Sequence, residues 1–164
     1  MGDKTNAARI LDQHKIQYKH YTYSSEGAIS GVEVATLLGQ DVKKVFKTLV
    51  TVGKSNKNYV FMVPVAEELD LKKAAACVCE KSIDMIKSAL LLPTTGYIHG
   101  GCSPVGMKKV FPTVIDASAL NCESIIFSGG RIGQQFETTL SELAKVVRFK
   151  TAEIVGGECG EKTY

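Results

Sequence analysis

Arginine is scarce in this chain. Only Arg9, Arg131 and Arg148 occur, and the rest of the 20 strong bases are lysine. Planar, bidentate readout of nucleobases is therefore not its main theme. The net charge is only +3, from 20 basic and 17 acidic residues. A balance that slight does not by itself demand a nucleic-acid partner, and any RNA contact it supports is directed at phosphate. No apolar run approaches the roughly 20 residues that span a bilayer. Residues 1–6 are polar and lack the apolar core of a signal peptide. Together these absences predict a cytoplasmic protein with no membrane partner. The five cysteines, Cys77, Cys79, Cys102, Cys122 and Cys159, are odd in number and come with no export signal, so no disulfide framework is expected. Cys77 and Cys79 are too closely spaced for the usual zinc or redox pair, and His14, His20 and His99 are scattered, so no metal site is expected. Walker loop, dinucleotide fingerprint and nucleophile elbow are all missing, and no cofactor is expected. Internal repeats and low-complexity tracts are absent too.

What is present is a soluble-type composition, 45% hydrophobic and 23% charged over 164 residues, which predicts one domain over residues 1–155. Residues 156–164 are glycine-rich and charged and read as a frayed tail. The chain is organised around residues 45–52, a run of β-branched and aromatic side chains that predicts a strand covered on two sides. Lys47 interrupts one of its faces. Either the strand has an edge where Lys47 reaches water, or a pocket lysine holds an anion or polarises a carbonyl there.

Residues 5–15 have helical spacing with Thr5 or Asn6 as cap. Residues 18–23 alternate aromatic and polar, as a strand does, and end on Tyr23. Ser30 and Glu33 fit a capping box, with Gly39 as the natural stop. A polar turn at 53–58 leads to a second apolar strand at 59–65, so the pair reads as a hairpin. Asp70 can cap a helix over 71–78. Residues 83–92 read as a short strand and a helical turn ending near Pro93. Residues 95–106, with four glycines and a proline, describe a shaped loop. Strands are expected at 113–117, 124–128, 135–139 and 153–155, and a last helix at 141–147. The fold class that follows is α/β, a curved mixed sheet, mainly antiparallel, flanked by helices, with a pocket at one sheet end.

The residues with chemical potential are Lys47, Tyr23, the Gly100–Gly101 loop with Ser103, and the turn at Ser128, Gly129 and Gly130. Glycine loops expose backbone N–H groups that can hold an anion or a developing oxyanion, although such loops also serve simply as turns. His99 and Cys102 invite a Cys–His nucleophile reading, but no third group is in view to orient them.

Six segments carry a resemblance. They are Val45-Phe46-Lys47-Thr48-Leu49-Val50, Leu71-Lys72-Lys73-Ala74-Ala75, the whole stretch 95–106, Val114-Ile115-Asp116, the turn 128–133, and Glu142-Leu143-Ala144-Lys145-Val146. In this order, over nearly the whole chain to about Val155, they resemble the YbaK/EbsC family of bacterial aminoacyl-tRNA deacylases, relatives of the editing domain inserted in bacterial prolyl-tRNA synthetase. The resemblance implies that family's mixed α/β fold and removal of cysteine from Cys-tRNA(Pro), with Cys-tRNA(Cys) as a second substrate. It places the family's invariant lysine on Lys47, its pocket tyrosine on Tyr23, its loop backbone on Gly100 and its serine on Ser128. Gly101, Ser103, Gly129 and Gly130 are expected to help bind substrate. It also implies an ester cleaved by the substrate's own thiol or by water, no cofactor, and the acceptor end of mischarged tRNA and prolyl-tRNA synthetase as partners. Cys102 departs from an aliphatic residue in the family, and Tyr21 from a usual histidine. The readings left open are a deacylase for another mischarged tRNA such as Ala-tRNA(Pro), a non-enzymatic module binding tRNA or synthetase, and a Cys102-based hydrolase.

Overall fold

Caps and turn residues recur every few positions, and the elements between them are short. In the computed structural model, which describes residues 4–24 and 30–156, helix α1 (Asn6–Gln13) is capped by Thr5, whose hydroxyl accepts the Ala8 N–H at 3.1 Å. Strand β1 (Lys19–Thr22) follows. Helix α2 (Gly31–Leu37) begins with the expected reciprocal pair: Glu33 N–H donates to Ser30 Oγ at 3.2 Å, and Ser30 N–H to the Glu33 carboxylate at 2.8 Å. Strands β2 (Phe46–Gly53) and β3 (Asn58–Pro64) make the expected hairpin, with Lys47 opposite Val63. Asp70 caps α3 (Leu71–Cys77) by accepting from the N–H groups of Lys72 and Lys73. Then come β4 (Ile83–Met85), α4 (Ser88–Thr95), β5 (Thr113–Asp116), β6 (Ile125–Ser128), β7 (Gln134–Thr138), α5 (Leu140–Leu143) and β8 (Phe149–Ala152).

The strands form two sheets where a single curved one was expected. One runs β1-β7-β6 and is antiparallel. The other runs β4-β2-β3-β5-β8, with β3–β5 and β5–β8 parallel. They meet at a parallel bridge between Val45 and Ile126. The main core draws Phe46, Met62 and Ile115 from one sheet and Phe127 and Phe136 from the other. A second core packs Phe61, Val63 and Val114 under α3. Strand β3 is thus buried on both faces, which is why its sequence is apolar without alternation.

Three boundaries differ from expectation. Helix α4 runs past Pro93 to Thr95; the missing Pro93 N–H removes only one bond from its last turn, and Gly96, at φ 88°, closes the end by donating to the Leu92 carbonyl. The last helix is one turn, Leu140–Leu143. The final strand is Phe149–Ala152 instead of residues 153–155. Buried Ile154 leaves the ladder because its N–H donates to the Asp116 carboxylate and its carbonyl accepts from Asp70 N–H, and Val155 makes only an isolated bridge to Leu69. The expected tail, from 157 onward, lies outside the described residues, as does Cys159.

Candidate active site

A cleft of about 1020 Å³ opens where the two sheets meet, between α2 on one side and α4 with the glycine loop on the other. Its lining includes Tyr23, Lys47, Gly100 and Ser128. These come from just past the end of β1, the start of β2, the loop after α4 and the end of β6. The four residues singled out individually in the sequence therefore share one cavity.

Each is held by its own element. Tyr23 N–H donates to the Gly133 carbonyl at 2.9 Å, which ties the end of β1 to the glycine turn after β6. The Lys47 side chain is 29% exposed, and its ammonium lies 3.5 Å from the Glu68 carboxylate, itself 90% exposed. An exposed pair of that kind is worth about 0–1 kcal/mol, so a bound anion can displace Glu68. Lys47 is thus neither sealed in the core nor free in bulk water; it stands on the cleft wall. Gly100 has φ +86°, and its N–H has no partner among the described residues. The N–H of Gly101 is already committed to the Ile98 carbonyl at 2.9 Å. Of the two glycines, only Gly100 can offer its amide to an oxyanion. Ser128 Oγ accepts the Gly130 N–H at 3.1 Å, which leaves the hydroxyl proton to donate.

Gly101, Ser103, Gly129 and Gly130 do not line the cleft. A Cβ on Gly101 would stand 3.1 Å from Ile132 N and 3.2 Å from Arg131 Cα, so the two glycine loops pack backbone against backbone. Ser103 is fully buried and its hydroxyl accepts the Val105 N–H. The Gly129 carbonyl accepts the Thr5 hydroxyl at 2.6 Å. Gly130, at φ +99°, lies against the ring of Tyr97. These four shape the loops that present Gly100 and Ser128.

Two cleft residues escaped the sequence reading. Gln135 is opposite Ser128 in the β6–β7 hairpin, and its side-chain oxygen accepts from Gln40 at 2.8 Å. Thr48 Oγ1 is buried without a hydrogen-bond partner among the described residues. The register across the glycine turn could have found Gln135, since residues flanking a tight turn face each other.

Cys102 and His99 also line the cleft. Burial pushes the Cys102 thiol up to about 12, against a smaller lowering from Thr95. A thiol held neutral this firmly is not a nucleophile, and Cys102 packs in a small core with Val50, Leu91 and Tyr97. Tyr21 turns away to a polar knot at the sheet junction. Its hydroxyl donates to Glu137 at 2.6 Å, Lys44 reaches the same carboxylate at 2.8 Å, and Ser124 donates as well. Burial pushes the Glu137 carboxyl up, but these donors outweigh it and hold it at about 2. Among the described residues there is no cluster of three potential metal ligands, and no helix is long and apolar enough to cross a membrane.

Comparison with known proteins adds the following. The family described as "Aminoacyl-tRNA editing domain" matches residues 26–146. The chain is 43% identical to the Enterococcus faecalis protein named "Putative Cys-tRNA(Pro)/Cys-tRNA(Cys) deacylase EbsC" over 156 residues, covering 94% of this chain and 95% of that protein. It is similar to a solved structure described as "a putative trans-editing enzyme for prolyl tRNA synthetase", with TM-score 0.77 and 25% identity over 92% of this chain and 93% of that one. A hypothetical protein of solved structure shares the fold at TM-score 0.80 and 19% identity, covering 92% and 99% of the two chains.

Proposed function

Because the chain belongs to the aminoacyl-tRNA editing domain family, we propose that it is a trans-editing deacylase that clears cysteine from Cys-tRNA(Pro). The observation that carries this reading is the convergence of Lys47, Tyr23, the Gly100 amide and the Ser128 hydroxyl on one cleft. An aminoacyl ester is already activated, so positioning and charge stabilisation suffice for its cleavage. Lys47 binds the terminal phosphate or the aminoacyl end. The Gly100 N–H faces the developing oxyanion, a donor worth about 2.7–4 kcal/mol in comparable sites. Ser128 donates its hydroxyl to the ester end, and the Tyr23 ring forms the wall beside it.

The substrate's own thiol is the nucleophile. Its sulfur bonds to the ester carbonyl carbon, the carbon–oxygen bond to the terminal ribose breaks, and the ribose oxygen leaves with the proton. The amino acid departs as a cyclic thiolactone. This route explains how a small cleft separates cysteine from near-isosteric amino acids, which size alone discriminates poorly. A deacylation panel tests it: tRNA carrying cysteine should be cleared, and the same tRNA carrying serine or alanine should not. Equal clearance of all three would replace the thiol route by general ester hydrolysis. Prolyl-tRNA synthetase supplies tRNA choice that a weakly charged chain lacks; a pull-down with the synthetase in the presence of tRNA tests that partner.

A further inference from the structure

The chain segment that supplies Gly100 and one wall of the cleft has a lopsided charge, carried by side chains outside the cleft lining itself. Residues 85–115, from β4 through α4 and the glycine loop into β5, contain no aspartate or glutamate. Lys87, Lys108 and Lys109 are exposed along it, and Arg131 is exposed on the turn whose backbone packs against Gly101. None of the four forms an ion pair among the described residues; the pairs there belong to Lys4, Lys44, Lys47 and Lys145. Lys87 sits at the N-cap of α4, and the Lys108 ammonium lies 3.3 Å from the Pro93 carbonyl near its other end.

Apolar side chains are interleaved with these cations. Leu91, Tyr97, Met107 and Phe111 turn inward to the small core around Cys102. Leu90, Leu92, Ile98 and Val110 are left exposed, Val110 at 93%. Uncompensated ammonium groups beside exposed aliphatic surface suit a polyanion with flat apolar faces. That describes the single-stranded end of a nucleic acid, whose phosphates meet the lysines while its bases lie on the aliphatic side chains.

We infer that this wall, marked by Lys87, Lys108, Lys109 and Arg131, is the track on which the tRNA acceptor arm lies, leading its 3′ end to Gly100. The inference rests on the deacylase reading for the identity of the RNA, but its test does not use ester cleavage. The probe is an uncharged hairpin RNA that copies an acceptor arm with its single-stranded 3′ end. Its affinity for the full chain is measured by fluorescence anisotropy across a salt series. Each phosphate contact contributes roughly 0.7–0.9 to the slope of log affinity on log salt, so Lys87→Gln/Lys109→Gln should lower the slope by about 1.4–1.8. At moderate salt it should weaken binding by about fivefold or more. The control pair Lys72→Gln/Lys81→Gln, equally exposed but outside the wall, should leave both unchanged. An unaltered slope in the first pair, an equal fall in the control, or no RNA binding by the unaltered chain would overturn the track. So would synthetase binding that is lost in the first pair while the RNA slope stays intact, since the wall would then belong to a protein. A chain that binds RNA with the expected slope yet leaves every aminoacyl-tRNA intact would keep the track and sink the deacylase reading.

Discussion

Replacing Glu137 by Gln should destabilise the protein strongly at neutral pH and far less in acid. Glu137 is 7% exposed and is held by Lys44, Tyr21 and Ser124. Those donors join β1, the approach to β2 and the β6–β7 hairpin, the pieces that carry Tyr23, Lys47 and Ser128. A carboxyl displaced from its ordinary 4.5 to about 2 carries about 3 kcal/mol of folding stability. The pKa is depressed in the fold, so the unfolded chain takes up its proton first as pH falls. The stabilisation is therefore whole above about pH 5 and drains away as pH approaches 2. By pH 3 about 2 of the roughly 3 kcal/mol should be gone. Urea unfolding of both proteins at pH 7 and pH 3, read by circular dichroism, measures this directly. The gap between them should be about 3 kcal/mol at pH 7 and about 1 at pH 3. A variant as stable as the parent at pH 7, or a gap that does not narrow in acid, would refute the reasoning.

Other outcomes follow from the same contacts. Gly100→Ala should cost about 1–2 kcal/mol in urea unfolding, because φ +86° strains any side-chain-bearing residue, while the nearest side-chain atom, in Ile132, lies at an ordinary 3.4 Å. The same change should slow cysteine release, since the shifted amide loses its aim at the oxyanion. Cys102, with its thiol held near 12, should resist iodoacetamide at pH 8, and deacylation should survive the treatment; rapid labelling at Cys102 with loss of activity would restore the cysteine-nucleophile reading. Thr5→Ala removes both the cap of α1 and the hydrogen bond to the Gly129 carbonyl 124 residues away. It should lower stability by about 2 kcal/mol in thermal or urea melts.

The parts of the fold that were legible in the sequence are those decided locally. The Ser30–Glu33 box, the Asp70 cap and the β2–β3 hairpin each depend on residues a few positions apart, and each formed as read. The ladders of β5 and β8 depend on chain segments far apart, and nothing near residues 149–152 announces a strand. Lys47 was visible as an interruption in an apolar run, and the Gly100 loop and Ser128 turn as glycine-rich segments, but no local pattern said that they would share one cleft; the family resemblance did. The Glu137 knot was invisible because no local rule says which of many glutamates will meet Lys44 and Tyr21 from about a hundred residues away. Ser103 and Gly101 show the opposite error: a loop rich in glycine and serine suggests many ligand contacts, yet most of those groups are spent holding the loop itself.

The central claim is that the Lys47 ammonium acts inside the cleft. Single-turnover cleavage of Cys-tRNA(Pro) by Lys47→Ala, alongside a thermal melt, tests it most directly. The account predicts a melt close to that of the parent, because only a weak exposed pair with Glu68 is lost, and cleavage reduced to the uncatalysed level. A well-folded Lys47→Ala protein that clears cysteine at the parental rate would contradict it.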